Sequence, residues 1–310
     1  MSFSSDVKNE IIRKEYVKEK PAISELAGMV SFGGRLKIND GKYYFTIVSE
    51  NPRISRRLYS LMKGALNINS KIKIKKNPEK VSYYEVVLEN KEDIESLFKA
   101  TYLLEEDKTI ESFINYRINP KLVSARELGA SFIKGAFVIG GSVMNPQKNY
   151  HLEFTTGRYS LSNDFMELLD KMGVPAKIVM RKSKYVMYYK NSDEIADVLT
   201  ILGSVNALME YHNAKILKEM RNRINRTINC ETANLSKTVD ASVEQVKCIE
   251  KLMEKGIFDT LPDTLREIGE LRLKYREHSL KELGEMLTPP IGKSGVNHRL
   301  RKIMDIARDI

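Results

Sequence analysis

Apolar and polar residues recur along the chain with periods that switch between helix and strand. Two stretches are apolar almost all round: Ala22–Leu36 (AISELAGMVSFGGRL) and Leu128–Gly141 (LGASFIKGAFVIGG). That pattern predicts buried helices, and each runs into a Gly-Gly pair, a good helix stop. A helix over residues 4–20, capped by Ser4 or Ser5 with Asp6 near its positive end, precedes the first. Strands are expected at Leu36–Asn39 and Tyr43–Val48, joined by a turn at Asp40-Gly41. A helix at Pro52–Leu66 follows, then strands KIKIKK (Lys71–Lys76) and YYEVVL (Tyr83–Leu88) around a hairpin at Asn77-Pro78, then a helix at Lys91–Leu104. After the second glycine pair the same order returns. Strands near Tyr150–Thr156 lead to a helix at Ser162–Met172, strands AKIVMRK and KYVMYYK, and a helix at Asp193–Leu202.

Matching positions keep a fixed offset. Gly28 and Gly135, Gly34 and Gly141, Tyr43 and Tyr150, and Leu61 and Leu168 all stand 107 positions apart, and Ile72 and Ile178 stand 106 apart. The chain therefore contains an internal duplication of an αββαββα unit. The two copies should pair about a pseudo-twofold axis with the buried helices as seam. Gly28 and Gly135 would let those backbones approach closely.

The last third is helical throughout. Asn206–Leu235 is a long helical pattern with Leu217, Met220, Ile224 and Ile228 on one face and Lys218, Arg221, Asn222, Asn225 and Asn229 on another. Ala241–Lys255 reads as a further helix, and Gly256–Pro262 as a break and domain boundary. Asp263 then caps a helix Thr264–Tyr275, whose Leu265, Ile268, Leu271 and Leu273 supply apolar contacts. Leu280, Leu283 and Leu287 mark the next helix, and Pro289, Pro290 and Gly292 end it. Ser294 is the expected N-cap of the final helix, with Val296, Leu300, Ile303 and Ala307 as its apolar stripe. Its opposite face is Ser294, His298, Arg301 and Lys302, flanked by Asn297 and Arg299, with Lys293 just ahead. A helix that packs by one face and offers amide and cationic donors on the other suits a DNA major groove. The expected parts are residues 1–110, 111–205, 206–260 and 261–310: two repeats, a helical linker and a helix-turn-helix domain. The fold class is α+β with an all-α C-terminal domain.

Composition sharpens this picture. The chain has 310 residues, 30% of them charged, and a formal net charge of +10, which favours a polyanionic partner. The last third is nearly balanced in charge, so its cations are focused on Lys293–Lys302. Lys71, Lys73 and Lys75 alternate with Ile72 and Ile74, and the second repeat offers Lys177, Arg181, Lys182 and Lys184. Such basic strands either touch phosphates or serve as solvent faces that block edge pairing. Lys218, Arg221, Asn222 and Asn225 are further candidate DNA contacts, weighed against a solvated linker helix. Cys230 and Cys248 lack ligand-like partners and read as inert thiols, and His151, His212 and His278 as structural or surface residues. No apolar run approaches a membrane span, the N-terminus lacks a secretory h-region, and the glycine pairs lack phosphate-loop spacing. A cytoplasmic protein without cofactor is expected.

Leu26–Gly34, LAGMVSFGG, resembles the LAGLIDADG helix of homing endonucleases, and Ile133–Gly141 is a fainter copy. In that family two such helices pack at the domain interface, a saddle of sheet binds DNA, and an acid at the eighth motif position holds the divalent metals that cut it. Here Gly33 and Gly140 hold the eighth positions, and Ser31 and Val138 the sixth. The resemblance thus implies a scaffold without catalytic residues or bound metal. The run MRNRINRTINCETANLSKT (Met220–Thr238) resembles WhiA-type bacterial regulators, as do SFSSDVKNE, GAFVIGGSVMNPQKNYHLEF and SLKELGEML…SGVNHRLRK. This resemblance covers essentially the whole chain. It implies a nucleoid-associated binder of double-stranded DNA, affecting transcription, cell division or chromosome segregation and, in sporulating bacteria, sporulation. A protein partner on the N-terminal domain, with the DNA domain only localising it, is the alternative, and an active endonuclease a weaker one.

Overall fold

The computed structural model describes residues 2–13, 18–77 and 80–310. The chain forms two compact units, residues 1–217 and 218–310. In the first, α1 (Phe3–Ile11) precedes α2 (Glu19–Gly33), β1 (Arg35–Asn39), β2 (Lys42–Ser49), α3 (Pro52–Leu66), β3 (Lys71–Asn77), β4 (Lys80–Leu88) and α4 (Lys91–Ala100). The second repeat is α5 (Arg126–Gly140), β5 (Gly141–Val143), β6 (Leu152–Thr156), α6 (Tyr159–Lys171), β7 (Lys177–Arg181), β8 (Lys184–Tyr189) and α7 (Ser192–Leu202). The αββαββα order thus occurs twice, and the two antiparallel sheets share one topology, β1-β2-β4-β3 and β5-β6-β8-β7. Asp40 and Gly41 both adopt positive φ, which matches the twist of the β1–β2 hairpin. The turn expected at Asn77-Pro78 reaches outside the described residues.

The seam between the repeats is α2 against α5. Leu26, Ala27, Met29, Val30, Phe132, Ile133, Ala136 and Phe137 are all buried there. A Cβ on Gly28 would lie 2.9 Å from the Ala136 amide nitrogen and closer still to the Phe132 carbonyl oxygen. One on Gly135 would lie 2.9 Å from Met29 N and would collide with the Glu25 carbonyl oxygen. Only glycine permits this contact of backbone on backbone. Across the seam's edge the Glu25 carboxylate, itself buried, takes a two-pronged ion pair from Arg57 of α3, at 2.9 and 3.0 Å.

The expected bounds of three helices need correction. The first helix stops at Ile11 instead of running to residue 20, with Ile12 as its C-cap and Ser2 as its N-cap; residues 14–17 lie outside the described set. The helix expected at Lys91–Leu104 ends at Ala100, where the Thr101 hydroxyl turns back to the Leu97 carbonyl. The patterns at 206–235 and 241–255 are one helix, α8 (Val205–Glu254), which both units share. The Ser-Lys-Thr-Val-Asp stretch does not break it, because the Thr238 hydroxyl bonds the Asn234 carbonyl and Ser236 bonds Asp240 within the helix.

The second unit continues with α9 (Asp263–Lys274), α10 (Leu280–Glu285) and α11 (Lys293–Arg308). Its core joins Ile249 and Leu252 of α8 with Phe258, Leu265, Ile268, Leu283, Leu287, Val296, Leu300, Ile303 and Ala307. Leu271 and Leu273 pack at its edge. Asp263 is not the cap of α9: Pro262 holds that position, and Asp263 pairs with Arg266 one turn on.

Candidate nucleic-acid interface

The α10–α11 pair is built by local rules. Ser279 and Glu282 form a reciprocal capping box that starts α10. The segment Thr288–Gly292 is long for such a turn, yet it folds back on α10, where the Ile291 amide bonds the Gly284 carbonyl at 3.0 Å. A Cβ on Gly284 would strike the Ile291 carbonyl, so glycine is required there. Arg272 of α9 is buried beneath the preceding loop and donates to the His278 carbonyl at 2.8 Å and the Arg276 carbonyl at 3.4 Å. Burial without a carboxylate partner holds its guanidinium pKa below the usual value. Arg272 thereby ties the loop ahead of α10 to α9. Its signal was legible, because it stands on the apolar stripe of Leu265 and Ile268.

The N-cap of α11 is Gly292, not Ser294, and no side chain closes that end. Helix geometry begins one residue before the serine, so Ser294 sits in the first turn with its hydroxyl exposed. First-turn amides left open in this way favour an anion. The apolar stripe is buried as expected: Val296, Leu300 and Ile303 are fully covered. On the other side Lys293, Ser294, His298, Arg301 and Lys302 are exposed, and Asn297 and Arg299 are half-buried. Arg299 reaches back to the Thr264 carbonyl at 3.5 Å. Among the described residues neither Lys293, Arg301 nor Lys302 has an ion-pair partner, whereas Arg308 at the far end pairs with Glu244. Lys293, Arg301 and Lys302 thus face solvent, and only the last turn of α11 is tied to α8.

The remaining candidates fall in separate places. Arg221, Asn222 and Asn225 are exposed and Lys218 half-buried on α8. Asn225 is about 28 Å along the helix from Glu244, where α8 meets α11, so the structure does not gather these residues with the α11 set. On the first sheet, Lys71 and Lys73 grip Glu89 at 2.5 and 2.7 Å, and Lys75 grips Glu85 at 2.8 Å. The Lys71 and Lys73 hydrogen bonds hold the Glu89 carboxyl down at about 2. The basic face expected at Lys73 and Lys75 is therefore partly offset by two neighbouring carboxylates. In the second sheet the residues that follow the same register are Val186 and Lys190 instead of the two glutamates. Lys177, Arg181, Lys182 and Lys184 have no ion-pair partner there among the described residues. His151, expected to lack a partner, bonds Glu153 at 2.9 Å.

The ends of α2 and α5 are crowded against any added side chain. A Cβ on Gly33 would overlap the Ile139 side chain, and one on Gly140 would lie 2.7 Å from the Phe32 ring and 2.9 Å from the Thr155 carbonyl oxygen. A cation from the chain already serves the α2 terminus: Arg158 donates to the Ser31 and Gly34 carbonyls at 2.7 and 2.9 Å and stacks on Tyr116. Among the described residues no group of three His, Cys, Asp or Glu side chains could hold a metal ion. Among the described residues no helix is long and apolar enough to cross a membrane.

Three family models match in series: a WhiA N-terminal LAGLIDADG-like domain over residues 19–104, a WhiA LAGLIDADG-like domain over 129–221 and a WhiA C-terminal HTH domain over 224–307. The chain is 42% identical to "Probable cell division protein WhiA" of Clostridium beijerinckii, covering all of this chain and 99% of that one. It is 44% identical to the protein of the same name in Clostridium perfringens strain 13, covering all of this chain and 98% of that one. The full-length DUF199/WhiA crystal structure from Thermatoga maritima superposes with a TM-score of 0.60 at 25% identity, over 100% of this chain and 99% of the other.

Proposed function

The chain belongs to the WhiA family, and on that premise we propose that it is a sequence-specific binder of double-stranded DNA that regulates transcription and acts in cell division or chromosome segregation. Residence on the nucleoid in the cytoplasm and a part in sporulation, in hosts that sporulate, belong to the same proposal. The observation that carries it is the open face of α11. Lys293, Ser294, His298, Arg301 and Lys302 lie exposed on a helix whose opposite face is locked into the core of the second unit. Arg301 and Lys302 hold phosphates in this scheme, and Asn297 and His298 read base edges. Arg299, already bonded to Thr264, steadies the helix on α9.

The test is a gel-shift titration across salt concentrations. Arg301→Ala and Lys302→Ala should weaken binding for all sequences and each lower the log–log salt slope by about 0.9. Asn297→Ala or His298→Ala should change sequence preference, by roughly 1–3 kcal/mol where a base is read. Four variants that bind like the parent protein would remove α11 from the scheme.

The duplicated body is proposed to be non-catalytic, with its second sheet as the auxiliary phosphate contact. Lys182 and Arg181 stand unpaired there, whereas Lys73 and Lys75 are tied to glutamates. Arg181→Ala should thus lower the salt slope and Lys75→Ala should not. Mg²⁺-dependent nicking of duplex DNA by the purified chain would overturn the non-catalytic assignment.

A further inference from the structure

A second charged site lies in the first unit, on the outer side of α3. Its inner side packs on β2 and β4, and its outer side borders a groove of about 910 Å³ shared with the end of α1 and the start of α2. Four exposed cations rim the groove: Arg13, Lys18, Arg53 and Arg56. None has an ion-pair partner among the described residues. Among the described residues one acid, Glu19, shares the lining, and Arg57 is already committed to Glu25. The floor is apolar, with buried Ala22 and Leu61 and half-buried Ala65. Gly64 closes one end, and a Cβ there would meet nothing.

We propose that this groove docks an acidic amphipathic helix of a partner protein. Arg13 and Arg53 also border Asp6, Glu10 and Glu210 in the adjoining groove, so Lys18 and Arg56 carry most of the uncompensated charge of the rim, which favours an anion. The apolar floor selects an occupant with a greasy face, which a DNA backbone does not have. Among the described residues the lining contains no aromatic ring on which a nucleobase would stack. From Arg53 to Gly64 the ridge of α3 runs roughly 16 Å, the length of about three helical turns. Leucines at i, i+3, i+4 and i+7 would face the floor and flanking carboxylates would reach Arg53 and Arg56. The site stands whether or not α11 reads DNA.

Fluorescence anisotropy with the full-length protein tests it. The probe is a labelled peptide of about 11 residues, which as a helix matches the ridge length, with leucines on one helical face and glutamates elsewhere. Its control is the same composition scrambled. The patterned peptide should bind at least about tenfold tighter than the scrambled one, and Arg53→Glu with Arg56→Glu should remove that preference. Gly64→Leu, which narrows one end of the groove without altering charge, should weaken the patterned peptide alone. Arg53→Lys with Arg56→Lys should retain binding. Equal affinity for both peptides would reduce the groove to a general polyanion site and overturn the proposal. So would unchanged binding in the Gly64→Leu variant, or loss of duplex DNA affinity in the charge-reversed protein, which would make nucleic acid the occupant.

Discussion

Replacing Gly135 by alanine should separate the two halves of the first unit. The new methyl group would lie 2.9 Å from Met29 N and 2.9 Å from the Glu25 carbonyl carbon, with the carbonyl oxygen nearer still. Comfortable contacts need about 3.5 Å or more, so α2 and α5 must part by roughly 1 Å. A gap of that size forfeits a quarter to a half of each dispersion contact across it. The seam is lined by Leu26, Met29, Phe132 and Ala136, all fully buried. Overpacking commonly costs about 1–3 kcal/mol. Here the obstacle is main chain, which cannot rotate away, so about 3 kcal/mol is expected, or a fall in Tm of roughly 6–12 °C for a unit of this size. Gly64→Ala is the control: the same atom added to an exposed helical site with open space should stabilise by about 0.5–1 kcal/mol. Differential scanning calorimetry of the full chain reads both. A Gly135→Ala protein that melts within 2 °C of the parent would refute the seam described here.

Burial pushes the Lys8 ammonium from its ordinary 10.5 down to about 8, against an opposing pull from Glu50. Below pH 8 both folded and unfolded chains carry the charge and the burial cost is felt in full; between pH 8 and 10.5 only the unfolded chain holds the proton, so stability rises. Lys8→Met should thus stabilise by about 1–3 kcal/mol at pH 7, with the gain shrinking toward pH 10.5 in urea titrations. Arg57→Met leaves Glu25 buried and alone and should cost about 3–5 kcal/mol, most of it recovered when Glu25→Leu is added; a double-mutant cycle measures this. Lys182 and Ser183 turn the β7–β8 hairpin with φ of 48° and 59°. Ser183→Gly should therefore raise stability by about 1 kcal/mol, seen as a higher Tm.

The duplicated body was legible because its devices are periodic. Glycines at matched offsets mark the seam, and alternation of period 2 marks each strand. Long-range choices were not legible. The basic strand face of Lys71, Lys73 and Lys75 is visible in sequence, but its glutamates, Glu85 on the neighbouring strand and Glu89 just past that strand's end, become partners only through register. The join within α8 was hidden because Ser236 and Thr238 resemble punctuation, although in a helix each hydroxyl finds an acceptor one turn away. For α11 the stripe and the cationic face followed directly from spacing. Its cap did not, because Ile291 and Gly284 settle the turn through a bond that no local pattern announces.

The crowding behind Gly33 and Gly140 also constrains how such a molecule could change over generations. An aspartate arriving at either place collides with Ile139 or Phe32. Shrinking those neighbours beforehand would open a void, which is unfavourable until the acid appears. Either order of mutation passes through a crowded or a hollowed intermediate, and at Gly140 the Thr155 carbonyl stands in the way as well. Close packing at two helix ends therefore works as a ratchet, and descendants of this chain can elaborate what surrounds the seam far more readily than they can place acids within it.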